Sequence, residues 1–133
     1  MAGGLPFIVL GIAHAFLTPH TPAEAKALSP RDASLREAMA KDTLHITRRT
    51  TFWRAWVGFN LSHSLGAVLF GAAVLLVGRS EASFQEQGPV FVPFAVVVST
   101  LYLILALRYW FRTPTIGIAL SCLCFLTSWV LIR

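Results

Sequence analysis

Charged residues are scarce in this chain of 133 residues, in which Asp, Glu, Lys and Arg together make up 13%. An average soluble domain carries about 25% charged residues. Residues of the apolar set make up 56% of the sequence instead. This composition excludes a disordered chain and argues against an ordinary soluble domain, and the length allows one domain.

Acidic residues are the rarest charged class, and none of them lies inside a long apolar run. We place all six in loops: Glu24, Asp32, Glu37, Asp42, Glu81 and Glu86. Proton-coupled transporters and many intramembrane enzymes depend on a carboxylate at membrane depth. The sequence therefore argues against a small multidrug-type exporter and against a four-helix sterol isomerase.

Cysteine occurs only at positions 122 and 124. Two residues apart on a helix, side chains point about 200° away from each other, so Cys122 and Cys124 are not expected to form a disulfide. No C-x-x-C pair of the kind used by quinone-linked thiol oxidoreductases is present. We predict that both cysteines are small core residues.

Long apolar runs are what the chain has in abundance. They predict four transmembrane helices, over residues 3–20, 52–77, 89–108 and 113–132, because about 20 apolar residues span a bilayer as a helix. Short connections favour antiparallel neighbours. The predicted fold class is therefore an all-α integral membrane protein, with an antiparallel four-transmembrane-helix bundle forming one domain over residues 1–133.

The first apolar run has an alternative interpretation as a cleaved signal peptide. Its start, Met1-Ala2-Gly3-Gly4, has no basic n-region, so retention as a helix is favoured. The segment 29–45 predicts a short amphipathic helix at the membrane surface, with Ser29 as the N-cap and Pro30 in the first helical position.

The formal charge of +5 comes mainly from basic residues between the first two spans and between the last two. Lys and Arg concentrate in cytoplasmic loops, so we expect both termini outside, in a bacterial inner membrane. This topology explains the excess of basic residues, so we expect no binding to nucleic acid. Membrane lipids are the expected partner. Four aromatic residues at predicted cytoplasmic helix ends are expected to lie at the interface: Trp53, Trp56, Tyr109 and Trp110.

Small and polar residues alternate along the first half of the second span. Gly58, Ser62 and Gly66 recur every four residues and predict a stripe for close helix packing, within the chain or between copies. Asn60 and His63 lie on a neighbouring polar strip with Ser64. His14 on the first span lies at a similar predicted depth, so we expect the first two helices to pack with His14 near Asn60 or His63.

Three interpretations of this polar cluster remain open. Interhelical hydrogen bonds that fix helix pairing are the simplest. The second is a site for a lipid-soluble ligand or a partner subunit, with candidate ligand-binding residues His14, Asn60, Ser62, His63 and Tyr102. Ser99, Thr100 and Ser121 are the other polar residues that could complete this interior.

The third interpretation is chemical. His14 or His63 is suited to acid–base catalysis because imidazole changes charge near neutral pH, and two facing histidines are also a minimal haem or metal pair. The cofactor, if any, is unknown. The spacing of His20, Asp42 and His45 matches no strong metal-binding pattern, so we predict no metal site there.

The run W-x-x-W-x-G-F-N-L-S-H-S-L-G over residues 53–66, with Gly11 and His14 upstream, resembles a family of small, uncharacterised bacterial four-helix integral membrane proteins. The resemblance covers the first two predicted helices and the overall layout. It implies the same fold and brings no activity to carry over.

Overall fold

The computed structural model describes residues 2–132 and is 75% helical, which confirms the all-α class. The elements in chain order are α1 (Gly4–Leu17), α2 (Ala33–Lys41), β1 (Thr43–Leu44), β2 (Thr47–Thr51), α3 (Phe52–Val77), α4 (Glu81–Tyr109) and α5 (Arg112–Leu131). Within these residues, α3, α4 and α5 are long and apolar enough to cross a membrane.

The first apolar run forms a shorter helix than the 3–20 span predicted from the sequence. α1 has 14 residues, which gives a length of about 21 Å, against a hydrocarbon core of about 30 Å. The helix ends where Pro19 follows Thr18, since proline lacks the amide that would continue it. The amide and the hydroxyl of Thr18 both donate to the carbonyl of His14, which closes the last turn.

The three long helices differ in how well they match the predicted boundaries. α3 has the predicted bounds, and α5 is shifted by one residue. α4 begins at Glu81 and not at residue 89, because the hydroxyl of Ser80 accepts a hydrogen bond from the amide of Ser83 and caps the helix. Pro89 and Pro93 lie inside it, and Glu81 and Glu86 lie in its first turns and not in a loop.

The segment between α1 and α3 differs most from the prediction of one helix over 29–45. α2 has nine residues and begins after Asp32, whose carboxylate accepts hydrogen bonds from the amide and hydroxyl of Ser34. The hydroxyl of Ser29 is used elsewhere: it accepts from the amide of Lys26 and donates to the carbonyl of Glu24. Ser29 is therefore not the cap, and an antiparallel hairpin, β1–β2, follows α2.

The chain divides into two compact units, to both of which α1 and α3 contribute residues. One unit combines the chain up to Leu10 with the chain from Ala67 onward. Its core is built around Phe7, which packs edge-to-face against Phe70 and Tyr102 at centroid distances of 4.8 and 5.4 Å. The buried members of this core are Phe7, Ala67, Val74, Ala95, Val96, Ala106, Ile118 and Phe125.

Two glycines in this unit allow α1 and α3 to approach closely. A Cβ atom built on Gly71 would lie 2.5 Å from the carbonyl oxygen of Gly4, and one built on Gly4 would lie 2.6 Å from the carbonyl oxygen of Gly71. Real Cβ atoms essentially never come within 3.0 Å of another heavy atom. The two backbones therefore contact each other directly at this crossing.

α4 and α5 also pack against each other in this unit, joined by the short connection Trp110–Phe111. Thr100 on α4 and Cys122 on α5 are in contact, with 3.5 Å between Oγ1 and Sγ. Both cysteines are free thiols, as predicted, but only Cys122 is buried and Cys124 is exposed. The prediction that both are core residues is wrong for Cys124, because their angular separation lets only one of them face inward.

Candidate binding site

The other compact unit, Gly11–Gly66, contains the polar residues that the sequence singled out on the first two apolar helices. His14 lies in the last turn of α1, and Asn60 lies in the first half of α3. Their side chains are hydrogen-bonded, with 2.9 Å between His14 Nε2 and Asn60 Oδ1. The predicted contact between these two helices through His14 and Asn60 is therefore present.

The orientation of the Asn60 amide fixes the direction of this hydrogen bond. Asn60 Nδ2 donates to the carbonyl of Trp56 at 2.8 Å, so Oδ1 is the atom that faces His14. An amide oxygen only accepts hydrogen bonds, so His14 Nε2 must carry the proton. In the neutral imidazole of His14, Nδ1 is then the unprotonated, basic nitrogen.

His63 lies one turn further along α3 and brings its ring against His14. The two ring centroids are 5.2 Å apart, and the ring planes meet at 64°. Both histidines are partly exposed, whereas Asn60 is 8% exposed. The site thus has a buried amide at its base and two imidazole rings that another molecule can reach. We call His14, Asn60 and His63 the histidine cluster.

The remaining polar side chains around the histidine cluster are satisfied by their own helices. Ser64 is 3% exposed, and its hydroxyl donates to the carbonyl of Asn60 at 3.0 Å. Thr18 is fully buried and donates to the carbonyl of His14. These hydroxyls are held by local hydrogen bonds, and both side-chain atoms of the buried Asn60 amide are bonded within the protein, so the partly exposed imidazole rings are the groups that can recognise a ligand.

Trp53 is a member of this unit that sequence reasoning placed incorrectly. We expected an interfacial aromatic residue, but Trp53 is only 3% exposed. Its indole Nε1 donates to the carbonyl of His20 at 3.3 Å, and its ring packs against Trp56 at 5.3 Å. Trp53 is therefore a core residue that fixes the chain after α1 to the start of α3, because both its ring and its N–H find partners inside the protein.

Two predicted site residues are not members of the histidine cluster. Ser62 is exposed, and its hydroxyl donates to the carbonyl of Phe59 on the same helix. Tyr102 belongs to the other compact unit, where its ring packs against Phe7. A ligand-binding role for Ser62 or Tyr102 stays a prediction.

The predicted packing stripe on α3 is open in the structure. A Cβ atom built on Gly58 or on Gly66 meets nothing within 4 Å, and Ser62 between them is exposed. The close crossing within the chain uses Gly4 and Gly71 instead. Packing through Gly58, Ser62 and Gly66 stays a prediction for contact with a second molecule.

The predicted polar residues on α4 and α5 are located in the unit that holds Phe7. Ser99 and Ser121 are both fully buried. The hydroxyl of Ser99 donates to the carbonyl of Val96, whereas the buried Ser121 hydroxyl has no hydrogen-bond partner in the described chain. These residues therefore form no polar interior with each other.

The loop that leads from α1 to α2 is held by charged side chains. The guanidinium of Arg36 donates to the carbonyls of Pro22 and Pro30 at 2.8 and 2.7 Å. The amide of His20 donates to the carboxylate of Glu24. This hydrogen bond and the nearby Lys26 ammonium together lower the pKa of Glu24. These contacts organise the loop around the carbonyl of His20, which receives the Trp53 indole.

A metal site finds no support in the histidine cluster. Residues 2–132 contain no group of three or more His, Cys, Asp or Glu side chains placed to hold a metal ion. The rings of His14 and His63 contact each other edge to face. Axial ligation of haem by two histidines instead places the macrocycle between the two rings.

No protein-family model, curated protein or solved structure matches this chain. The resemblance to small bacterial four-helix membrane proteins therefore stays a prediction, and the function has to be argued from the site itself.

Proposed function

We propose that this chain is an integral membrane protein whose histidine cluster binds a neutral, lipid-soluble ligand or a partner membrane subunit. The observation that carries the proposal is the hydrogen bond between His14 and Asn60, with the ring of His63 in contact with His14. Polar side chains on apolar helices are costly in lipid, and they mark functional sites by default.

The chemistry of the cluster favours an uncharged ligand. Asn60 is neutral, and neither α1 nor α3 contains an acidic residue. Imidazole nitrogens can donate to a carbonyl or accept from a hydroxyl, so a molecule with such groups on an apolar body matches the site. A permanently cationic ligand would find no carboxylate on α1 or α3.

Native mass spectrometry of the protein extracted from its own membrane tests this proposal. We expect a co-purifying small molecule or subunit that is retained by the wild type and lost in His14→Ala and His63→Ala. Thr127→Ala is the matched control, because Thr127 lies on α5, is exposed, and donates its hydroxyl to the carbonyl of Leu123 on the same helix. Equal retention by all four proteins, or no retained species in the wild type, would overturn the proposal.

Acid–base catalysis by His14 is a second candidate, favoured by the orientation of its ring. A base held by a third group is the usual arrangement in enzymes, and Asn60 holds His14 so that Nδ1 is the basic atom. His14→Gln keeps a side-chain donor for Asn60 but cannot take up a proton at neutral pH. If His14 is catalytic, we expect this variant to bind the ligand without converting it. Unchanged binding together with unchanged conversion would exclude this role.

An absorption spectrum of the purified protein tests for haem, because a spectrum without a Soret band excludes it.

We infer the orientation from charge: the basic segment between α1 and α3 faces the cytoplasm, and both termini face outward across a bacterial inner membrane. Fusions of alkaline phosphatase and of green fluorescent protein to the C-terminus test this orientation. We expect an active phosphatase and a dark fluorescent protein. The opposite pair of results would reverse the topology.

A further inference from the structure

The hairpin of residues 43–51, which the sequence did not predict, presents an apolar tip to its surroundings. β1 and β2 are joined by His45 and Ile46, and Ile46 is 90% exposed. At this exposure Ile46 buries little of its surface within the protein. Such a side chain is available for contact with another phase or molecule.

Two arginines lie next to this tip without acidic partners. Arg48 and Arg49 are both exposed. Within residues 2–132 the ion pairs are Lys26–Glu24 and Lys41–Glu37, so neither arginine is neutralised by the protein. The hairpin therefore combines an apolar tip with uncompensated positive charge.

The hairpin is attached directly to the start of α3. Thr51 ends β2 and Phe52 begins the helix, and the amide of Phe52 donates to the carbonyl of Asp42 at 2.9 Å. Arg49 lies three residues before the helix, which is about 10 Å of extended chain. The headgroup layer on each side of a bilayer is about 5–8 Å thick, so an inserted α3 keeps the Arg49 backbone near the outer edge of that layer, where its long side chain can reach the headgroups.

The hairpin has little internal stabilisation of its own. β2 consists of Thr and Arg residues, and no residue of either strand is buried. An isolated two-stranded hairpin is marginally stable at best in water. A surface that supplies negative charge to the arginines and an apolar boundary to Ile46 would add the missing contacts.

We propose that this hairpin binds the headgroups of anionic phospholipids. Arg48 and Arg49 contact the lipid phosphates, and Ile46 enters the boundary between headgroups and acyl chains. Arginine suits this role because its guanidinium donates two hydrogen bonds to one phosphate. The inference rests on membrane insertion of α3 and is independent of the histidine cluster.

Lipid titration of the delipidated full-length protein in detergent, read by native mass spectrometry, tests this inference. We expect wild type to bind dioleoylphosphatidylglycerol more tightly than dioleoylphosphatidylcholine. Arg48→Gln and Arg49→Gln should each weaken phosphatidylglycerol binding about five-fold, which corresponds to about 1 kcal/mol per basic residue, and leave phosphatidylcholine binding unchanged. Arg31→Gln is the matched control, since Arg31 is exposed and precedes α2.

Amide hydrogen exchange of the hairpin in lipid nanodiscs gives a second readout. We expect slower exchange over residues 43–51 in discs with one fifth phosphatidylglycerol than in pure phosphatidylcholine discs, and no such difference for Ile46→Ser. Phosphatidylglycerol binding that is equal in wild type and in Arg48→Gln/Arg49→Gln overturns the inference. So does protection that appears in native membranes but not in phosphatidylglycerol discs, which would assign the hairpin to a protein partner.

Discussion

Replacing Gly71 by alanine should loosen the contact between α1 and α3 in the unit that holds Phe7. The added Cβ atom would lie 2.5 Å from the carbonyl oxygen of Gly4, about 1 Å closer than the 3.4 Å of ordinary contact. It would also lie 2.7 Å from Cγ1 of Ile8, a side chain that can move. The Gly4 carbonyl belongs to the backbone, so relief requires the two helices to move apart.

The size of this effect follows from two opposing terms. Overpacking of this kind costs about 1–3 kcal/mol, and the gain in helix propensity from glycine to alanine returns at most about 1 kcal/mol. We therefore expect Gly71→Ala to lower the free energy of unfolding by up to about 2 kcal/mol, and to be about 1–3 kcal/mol less stable than an alanine variant that meets no neighbour. Gly66→Ala, five residues earlier on the same helix, meets nothing within 4 Å and should be neutral or slightly stabilising.

Reversible unfolding in mixed detergent micelles, followed by far-UV circular dichroism, measures both variants on one scale. The comparison isolates the crossing, because the two substitutions are chemically identical. Equal stability of Gly71→Ala and Gly66→Ala would refute the close backbone contact. A larger loss for Gly66→Ala would move the packing surface to the stripe predicted from the sequence.

Two further predictions concern the other unit. In a double-mutant cycle of His14→Ala and Asn60→Ala, we expect a coupling of about 0.6–1.7 kcal/mol in the free energy of unfolding. We expect no coupling when Ser62→Ala replaces Asn60→Ala in the cycle. Zero coupling for the first pair would contradict the hydrogen bond. The second prediction concerns pH. Hydrogen bonds from the hydroxyl and amide of Ser34 lower the pKa of Asp32 in the folded protein. The stabilisation that Asp32 gives α2 is therefore complete above the pKa of Asp32 in the unfolded chain, and it is lost as the pH falls through the lowered pKa of the folded protein. The amide chemical shift of Ser34 should titrate below the usual aspartate range and stay flat in Asp32→Asn.

The long helices could be predicted from the sequence because hydropathy alone determines them. The bounds of α3 coincide with its apolar run. The start of α4 could not be found this way, because its first two turns are polar and depend on the cap by Ser80. The apolar run predicts a helix start at Pro89, which instead lies inside α4, because proline is tolerated inside apolar helices whose neighbours satisfy the freed backbone groups.

Tertiary contacts explain the remaining differences. The hairpin lacks the Asn-Gly or Asp-Gly turn that marks a two-residue connection in sequence, since His45 and Ile46 occupy its tip. The contact of His14 with Asn60 was predictable, because both are polar residues at similar depths on adjacent helices. The location of the close helix crossing at Gly4 and Gly71, and not at Gly58 and Gly66, could not be predicted. Spacing along one helix does not specify which of its faces meets another helix.

The short length of α1 has a consequence for the kind of bilayer that suits this protein. A helix of 14 residues is about 9 Å shorter than a typical hydrocarbon core. If α1 spans the bilayer, as the proposed orientation of both termini requires, local thinning of the lipid around it would relieve this mismatch at a cost of a fraction of a kcal/mol per ångström. Membranes with short acyl chains should therefore accommodate the protein better than thick ones, and the C-terminal turn that carries His14 would lie where headgroups and water dip toward the bilayer centre.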